Sequence, residues 1–187
     1  MSRAPILRDE ALSPEQRRIR DSISPERTGF AEGPLRVWLL SPQLADRAQA
    51  LGAFCRSGTS LPLRLSELAI LVAAAYWRSG YQWHVHAPIA IEAGVAEDTV
   101  EAIRIGEPAQ FSRQDEATVY ALSRELLEER RLSEASFEHA VHAFGLTGVV
   151  GLVCILGYYG LVAMTLVGFD VAVPAGAPQP FAAVECQ

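Results

Sequence analysis

Apolar and polar positions recur along this chain at helical spacing, and glycine and proline punctuate the repeats. Ser13-Pro14-Glu15-Gln16 has the form of a helix start: serine as cap, proline at the first helical position, glutamine three residues after the cap. Pro25, Gly29 and Gly33 then break the chain. Ser41-Pro42 opens a second helix to about Arg56, with Leu44, Ala48, Leu51 and Phe54 at helical spacing and Gly58 as its stop. Pro62 opens a third. Its run from Leu65 to Trp77 is mostly Leu, Ile, Val and Ala, which predicts burial on most sides, and Gly80 ends it. A fourth helix is predicted over Tyr81 to Ala93, with Gly94 as its stop, and a short one from Glu97 to Ile105, closed by Gly106. Ser112 with Asp115 forms a capping pattern for an amphipathic helix through Arg130, with Val119, Leu122, Leu126 and Leu127 inward. Ser133 caps a helix to Phe144, and an apolar helix follows to about Phe169. The stretch from Pro174 to Gln187 has three prolines and no helical period, which predicts an extended tail or one docked on a neighbour. No alternating strand pattern of useful length occurs. The reading is all-α: a single domain over residues 1–187 with about seven or eight helices, an N-terminal helical arm over 1–40 and a tail over 174–187.

Charge changes this picture at one place. Gly145 to Phe169 carries no charge over 25 residues, which meets the length test for a membrane span. The run holds six glycines, lacks cationic flanks and is followed at once by Asp170. Three other apolar helices need a partner to cover them, so a buried core helix is expected, and no membrane.

Composition removes several function classes. The net charge of −6 and the absence of any basic cluster longer than Arg17-Arg18 or Arg130-Arg131 argue against nucleic acid. All sixteen cations are arginine, so Schiff-base catalysis, pyridoxal phosphate anchoring and a phosphate-loop lysine lack their amine. The three cysteines, Cys55, Cys154 and Cys186, are odd in number and widely spaced, which indicates neither a disulfide framework nor a zinc motif. Met1 to Asp21 is polar, without an apolar signal core, and the expected location is cytoplasmic.

Few side chains remain for chemistry. His84 and His86 are two apart on a predicted helix and point to nearly opposite sides, so they do not form a metal pair. His139 and His142 share a face, but a polar one, and are expected in solvent. The segment Tyr81-Gln82-Trp83-His84-Val85-His86 concentrates aromatics and histidines at a helix start, where free N–H groups favour an anion or a developing enolate. A buried histidine there is either a proton-exchanging group or a satisfied core residue. Glu67, at the start of an apolar run, is either paired inside or a first-turn acid facing the helix dipole. The two lie 19 residues apart across the Gly80 turn, and meet only if their helices cross at an angle.

Leu61-Pro62-Leu63-Arg64-Leu65-Ser66-Glu67-Leu68-Ala69-Ile70-Leu71, then Tyr81-Gln82-Trp83 and His86-Ala87-Pro88-Ile89-Ala90, resemble the longer members of the carboxymuconolactone decarboxylase family, in the alkyl hydroperoxidase D-like superfamily. The resemblance resumes at Gly157-Tyr158-Tyr159-Gly160-Leu161-Val162-Ala163-Met164-Thr165-Leu166 and runs through Phe169-Asp170-Val171 to the Pro174-Ala175-Gly176 turn. It implies an alkyl hydroperoxidase D-like helical bundle, assembled as a homo-oligomer (dimer, trimer or hexamer), with a pocket near Glu67 and His86. It also implies one of two chemistries: cofactor-free decarboxylation of a lactone acid, or peroxide reduction by a Cys-x-x-Cys pair served by a glutamate and a histidine. Counted from Glu67 and His86, the thiol positions of the second branch fall on Ser79 and Gln82, which form neither a sulfenic acid nor a disulfide. The chain also has Gln82 where many long members resemble Tyr-Glu-Trp, and Ser66 where arginine is common before the glutamate.

The expected function is therefore a cofactor-free, decarboxylase-like lyase or isomerase acting on a small carboxylated or enolisable metabolite. His86 exchanges the proton and Glu67 orients it. Arg64 or Arg78 pairs with a substrate carboxylate, and Tyr81, Gln82, Trp83 and Tyr158 contact the substrate. No metal and no cofactor are expected. The alternatives are a hydroperoxidase-like oxidoreductase drawing thiols from elsewhere, and a non-catalytic oligomer that binds a small molecule.

Overall fold

The structure, a computed structural model, describes residues 2–5, 7–22 and 33–182. The breaks expected at Pro25 and Gly29, and Cys186, lie outside them. Among the described residues there are eight α-helices and no strand. They are α1 Pro14–Asp21, α2 Pro34–Trp38, α3 Pro42–Ser57, α4 Leu63–Tyr76, α5 Gly80–Glu92, α6 Glu97–Ile105, α7 Gln114–Glu128 and α8 Glu134–Gly168.

Local chemistry accounts for most boundaries. Ser13 and Gln16 cap α1 reciprocally, with the Ser13 hydroxyl accepting from the Gln16 N–H at 3.2 Å and the Gln16 side chain accepting from the Ser13 N–H at 2.8 Å. Gly106 closes α6 in the left-handed conformation at φ +79°. Gly145 interrupts α8 at φ +68°, so the polar helix from Ser133 and the apolar one after it run into each other across a kink. Two boundaries differ from expectation. The short α2 was not legible, because five residues carry too little periodicity. The Ser112 cap of α7 does not form: the helix begins at Gln114, and the Asp115 carboxylate accepts from Arg64 and from the Glu116 N–H.

Helix α4 is the centre of the bundle. Every residue from Arg64 to Ala74 is buried, and α5, α7, α8, α3 and α6 all pack against it. The long α8 meets the length and composition test for a membrane span, but 67% of its most apolar window is buried within the bundle. It is the second core helix, as the charge-free run predicted.

Of the α3 residues noted at helical spacing, Ala48 is buried. Leu44, Leu51 and Phe54 are exposed, and the inner face is Ala45, Ala48, Gly52 and Cys55. Small residues let α3 and α8 approach closely. A Cβ on Gly52 would sit 2.2 Å from the Tyr158 hydroxyl, so the tyrosine occupies the space that glycine leaves.

Both ends of the described chain are docked. The Arg3 N–H donates to the Phe169 carbonyl at 2.8 Å, at the C-terminal end of α8. The described part of the tail, to Ala182, lies over the α4–α5 turn. Arg78 donates to the Ala182 carbonyl at 3.1 Å, Arg104 to the Pro180 carbonyl at 2.6 Å, and the Phe181 ring meets Trp83 edge-on at 5.5 Å.

Candidate functional site

The site begins with a carboxylate where burial disfavours one. Glu67 lies in the most enclosed helix of the bundle and is 2% exposed. A buried ionised carboxylate is tolerated only with a partner. The partner is His86, whose Nδ1 lies 2.7 Å from Glu67 Oε2. Glu67 stands nine residues before the end of α4, and His86 six after the start of α5. The mismatch is about one helical turn or less, at roughly 1.5 Å of rise per residue, and the two long side chains span it.

The turn between the helices is built for close return. Trp77 caps α4, Arg78 adopts the left-handed conformation at φ +50°, and the Ser79 N–H reaches back to the Ala74 carbonyl at 2.8 Å. This is a Schellman-type closure, with arginine where glycine is usual. It sets the first turn of α5 directly against α4. Gln82 fastens the two, its amide donating to the Ile70 carbonyl at 3.3 Å.

With Nδ1 committed to a carboxylate, Nδ1 donates and Nε2 is the nitrogen left to act. The ring keeps about a tenth of its side-chain surface open, 11%. His84, two positions earlier, is half-buried and takes no part in the pair. His139 and His142 are exposed.

A residue the sequence did not single out completes the centre. Tyr159 presents its ring edge-on to His86, with centroids 5.0 Å apart. Burial, together with the nearby Glu67 charge, pushes its hydroxyl above the ordinary tyrosine range, while the Arg56 guanidinium pulls the other way. The phenol therefore stays protonated, with its hydroxyl buried beside the Arg56 guanidinium. Three buried polar atoms without a hydrogen bond lie along the α4–α5 hairpin, Trp77 Nε1, Ser79 Oγ and Gln82 Oε1, and two others, Arg36 Nε and Ser123 Oγ, lie elsewhere. An orphaned buried polar atom costs about 1–3 kcal/mol, so the three on the hairpin leave polar groups there without a protein partner.

The structure redistributes the other expected residues. Arg64 is not free for a substrate carboxylate. Its guanidinium is bonded to Asp115 at 2.7 Å and to Glu116, and it ties α4 to α7. The Asp115 carboxyl is held below its ordinary range, chiefly by that hydrogen bond. Arg78 is turned to the tail, with its guanidinium 5.6 Å from the Phe181 ring centroid. It also lines a cavity of about 210 Å³ with Arg104, Arg124 and Tyr120, and neither Glu67 nor His86 is among that cavity's walls. Tyr158 points its hydroxyl at Gly52, so Tyr159, rather than Tyr158, is the ring on His86. Tyr81 and Trp83 are buried, and Trp83 is covered by Phe181. Arg56 was also missed. It ends α3, where a cation reads as an ordinary helix-terminal charge.

Among the described residues, no group of three or more His, Cys, Asp or Glu side chains is arranged to hold a metal ion.

Comparison with known proteins agrees with the architecture. Residues 42–123 match the profile of the Carboxymuconolactone decarboxylase family. No curated protein matches the chain significantly. Among solved structures, an uncharacterized peroxidase-related protein from Silicibacter sp. TM1040 is similar at a TM-score of 0.72, with 13% sequence identity, over 92% of this chain and 90% of that one. At that identity the likeness is one of fold, an all-helical bundle.

Gln82 gives a direct test of this geometry. Gln82→Glu replaces an amide donor with a carboxylate facing the Ile70 carbonyl. A buried carboxyl there is driven toward its protonated form, so its folded-state pKa rises above the unfolded value. We predict a loss of about 1–3 kcal/mol at neutral pH that shrinks as pH falls through the carboxylate range. Urea unfolding at a series of pH values checks it, and an equal loss at all pH values would contradict the assigned contact.

Proposed function

We propose, from the match of residues 42–123 to the Carboxymuconolactone decarboxylase family model, that the chain is a cofactor-free acid–base catalyst, a decarboxylase-like lyase or isomerase for a small carboxylated or enolisable metabolite. The observation that carries this reading is the buried 2.7 Å contact between Glu67 and His86. It holds the imidazole so that one nitrogen is spent and the other is available. In the proposed reaction His86 Nε2 takes a proton from an acidic carbon, or returns one to the carbon from which carbon dioxide has left. Glu67 accepts from Nδ1–H and stabilises the imidazolium. The Tyr159 O–H, on the ring that packs against His86, would serve the oxygen on which enolate charge develops. Tyr159 and Arg56 take the supporting places first expected of Tyr158 and Arg64.

A second reading is favoured by one observation, the name of the peroxidase-related protein that shares the fold. In this chain the positions that would carry the thiols hold Ser79, whose Oγ is buried without a partner, and Gln82, bonded to α4. An oxidoreductase built here needs its sulfur from elsewhere, and we rank it second.

The chain is also proposed to be a homo-oligomer that takes a small molecule. Leu146, Val150, Met164 and Val167 along α8 are 59%, 61%, 49% and 48% exposed. A contiguous apolar face of that kind marks an association surface. Light scattering at micromolar concentration is expected to give a multiple of the 20.3 kDa chain mass, with Val150→Glu lowering it. A monomer would contradict the assembly.

Exchange in deuterated water tests the chemistry whatever the product. Small keto acids and lactone acids are expected to gain deuterium at the enolisable carbon, or to release carbon dioxide, in the presence of the protein. His86→Ala should slow this by about 10²–10⁴-fold while the helical circular dichroism is kept. Tyr159→Phe and Glu67→Gln should cost less. Thiol-dependent peroxide consumption without carbon chemistry would replace this reading with the second one. Ligand-induced thermal shifts with no exchange and no product would replace it with a binding role.

A further inference from the structure

The small-residue face that lets α3 approach α8 also brings two thiols together. Cys55 Sγ lies 3.6 Å from Cys154 Sγ and 3.8 Å from the Cys154 carbonyl oxygen, across 99 residues of sequence. Both are free thiols. Cys55 is fully buried and Cys154 half-buried. Cys55 sits in the last turn of α3, which ends at Ser57 with Gly58 as its cap. Closing the sulfurs to a disulfide length of about 2.0 Å asks for little more than rotation about the Cα–Cβ bonds and a small shift of that turn.

We infer that Cys55 and Cys154 are a dithiol that a hydroperoxide oxidises to an intrachain disulfide linking α3 to α8. This proposal is independent of the acid–base reading and of the hairpin that carries it. Cys154, the more accessible member, meets the oxidant first. Its sulfur attacks one peroxide oxygen, the O–O bond breaks, and the thiol proton leaves with the other oxygen as an alcohol or water. Cys154 becomes a sulfenic acid. The Cys55 sulfur then attacks the Cys154 sulfur. The S–S bond forms, the S–O bond breaks, and the hydroxide leaves as water with the Cys55 proton. Two thiols lose two electrons in total, and one hydroperoxide is reduced. The order of events follows from the environment: Cys154 is the more open of the two, burial and then the Cys154 neighbour keep the Cys55 thiol protonated, and the 3.6 Å contact places Cys55 to resolve the sulfenic acid once it forms.

The link falls beside the centre already described. Cys154 and Tyr158 are one helical turn apart on α8, Tyr158 fills the space at Gly52, and Tyr158 meets Tyr159 edge-on at 5.2 Å. Oxidation therefore fastens the wall that supports the ring on His86.

The test uses the folded full chain, treated with hydrogen peroxide or cumene hydroperoxide, then alkylated and mapped by mass spectrometry. The expected result is loss of two hydrogens, a cross-linked peptide joining Cys55 to Cys154, and full reversal by dithiothreitol. Cys186→Ser should leave that product unchanged. Cys55→Ser should stop the reaction at a Cys154 sulfenic acid that dimedone traps. A Cys154 that gains two oxygens while Cys55 stays alkylatable would overturn the proposal. A disulfide that maps to Cys186, or a dithiol left intact under peroxide that oxidises free cysteine completely, would also overturn it.

Discussion

A carboxylate at 2% exposure in the middle of a helical bundle is the constraint from which the rest of this molecule follows. Glu67 cannot be hydrated where it lies, so the fold has to bring it a proton donor. That donor comes from the next helix in the chain, which is why the turn between α4 and α5 is tight enough to need a left-handed Arg78. It is also why the first turns of α5 are pinned to α4 through Gln82 and Ile70. The histidine that satisfies Glu67 is thereby fixed in orientation. A structural requirement and a chemical capacity are met by one hydrogen bond.

The same helix carries a second buried charge, Arg64, one turn earlier. It is satisfied in the opposite direction, by Asp115 and Glu116 on α7. Two unlike charges on α4, each answered by a different neighbour, fix how that helix is rotated within the bundle. An apolar helix buried all round lacks the amphipathic stripe that normally does this. Breaking either pair by removing one partner leaves a buried charge uncompensated, which costs more than the pair itself contributes.

Most of the architecture was legible in the sequence, because helix caps and glycine stops act locally. Ser13, Gly106 and Ser133 do what their positions imply. Glu67 and His86 stood out as polar residues in apolar company, though the sequence left open whether they touch. What was not legible depended on rotation. α3 has apolar residues on both faces, and the spacing took in Leu44, Leu51 and Phe54 together with Ala48. The closeness of α8 selected the smaller, Ala45, Ala48, Gly52 and Cys55. In α8, apolar on every side, no pattern distinguishes Tyr158 from Tyr159, and only packing turns the second toward His86. Arg64 could not be separated from a substrate-binding arginine, because its partners on α7 lie 51 and 52 residues away. The contact between Cys55 and Cys154 was invisible for the same reason.

The central claim is that Glu67 holds His86 with its proton on Nδ1 and leaves Nε2 as the working nitrogen. Long-range proton–nitrogen correlation spectra of the ¹⁵N-labelled protein read this directly, at a pH where the ring is neutral. The account predicts a protonated, hydrogen-bonded Nδ1 and a bare Nε2 on His86, with both nitrogen shifts altered by Glu67→Gln. A proton on Nε2 with Nδ1 bare, unchanged in Glu67→Gln, would contradict it.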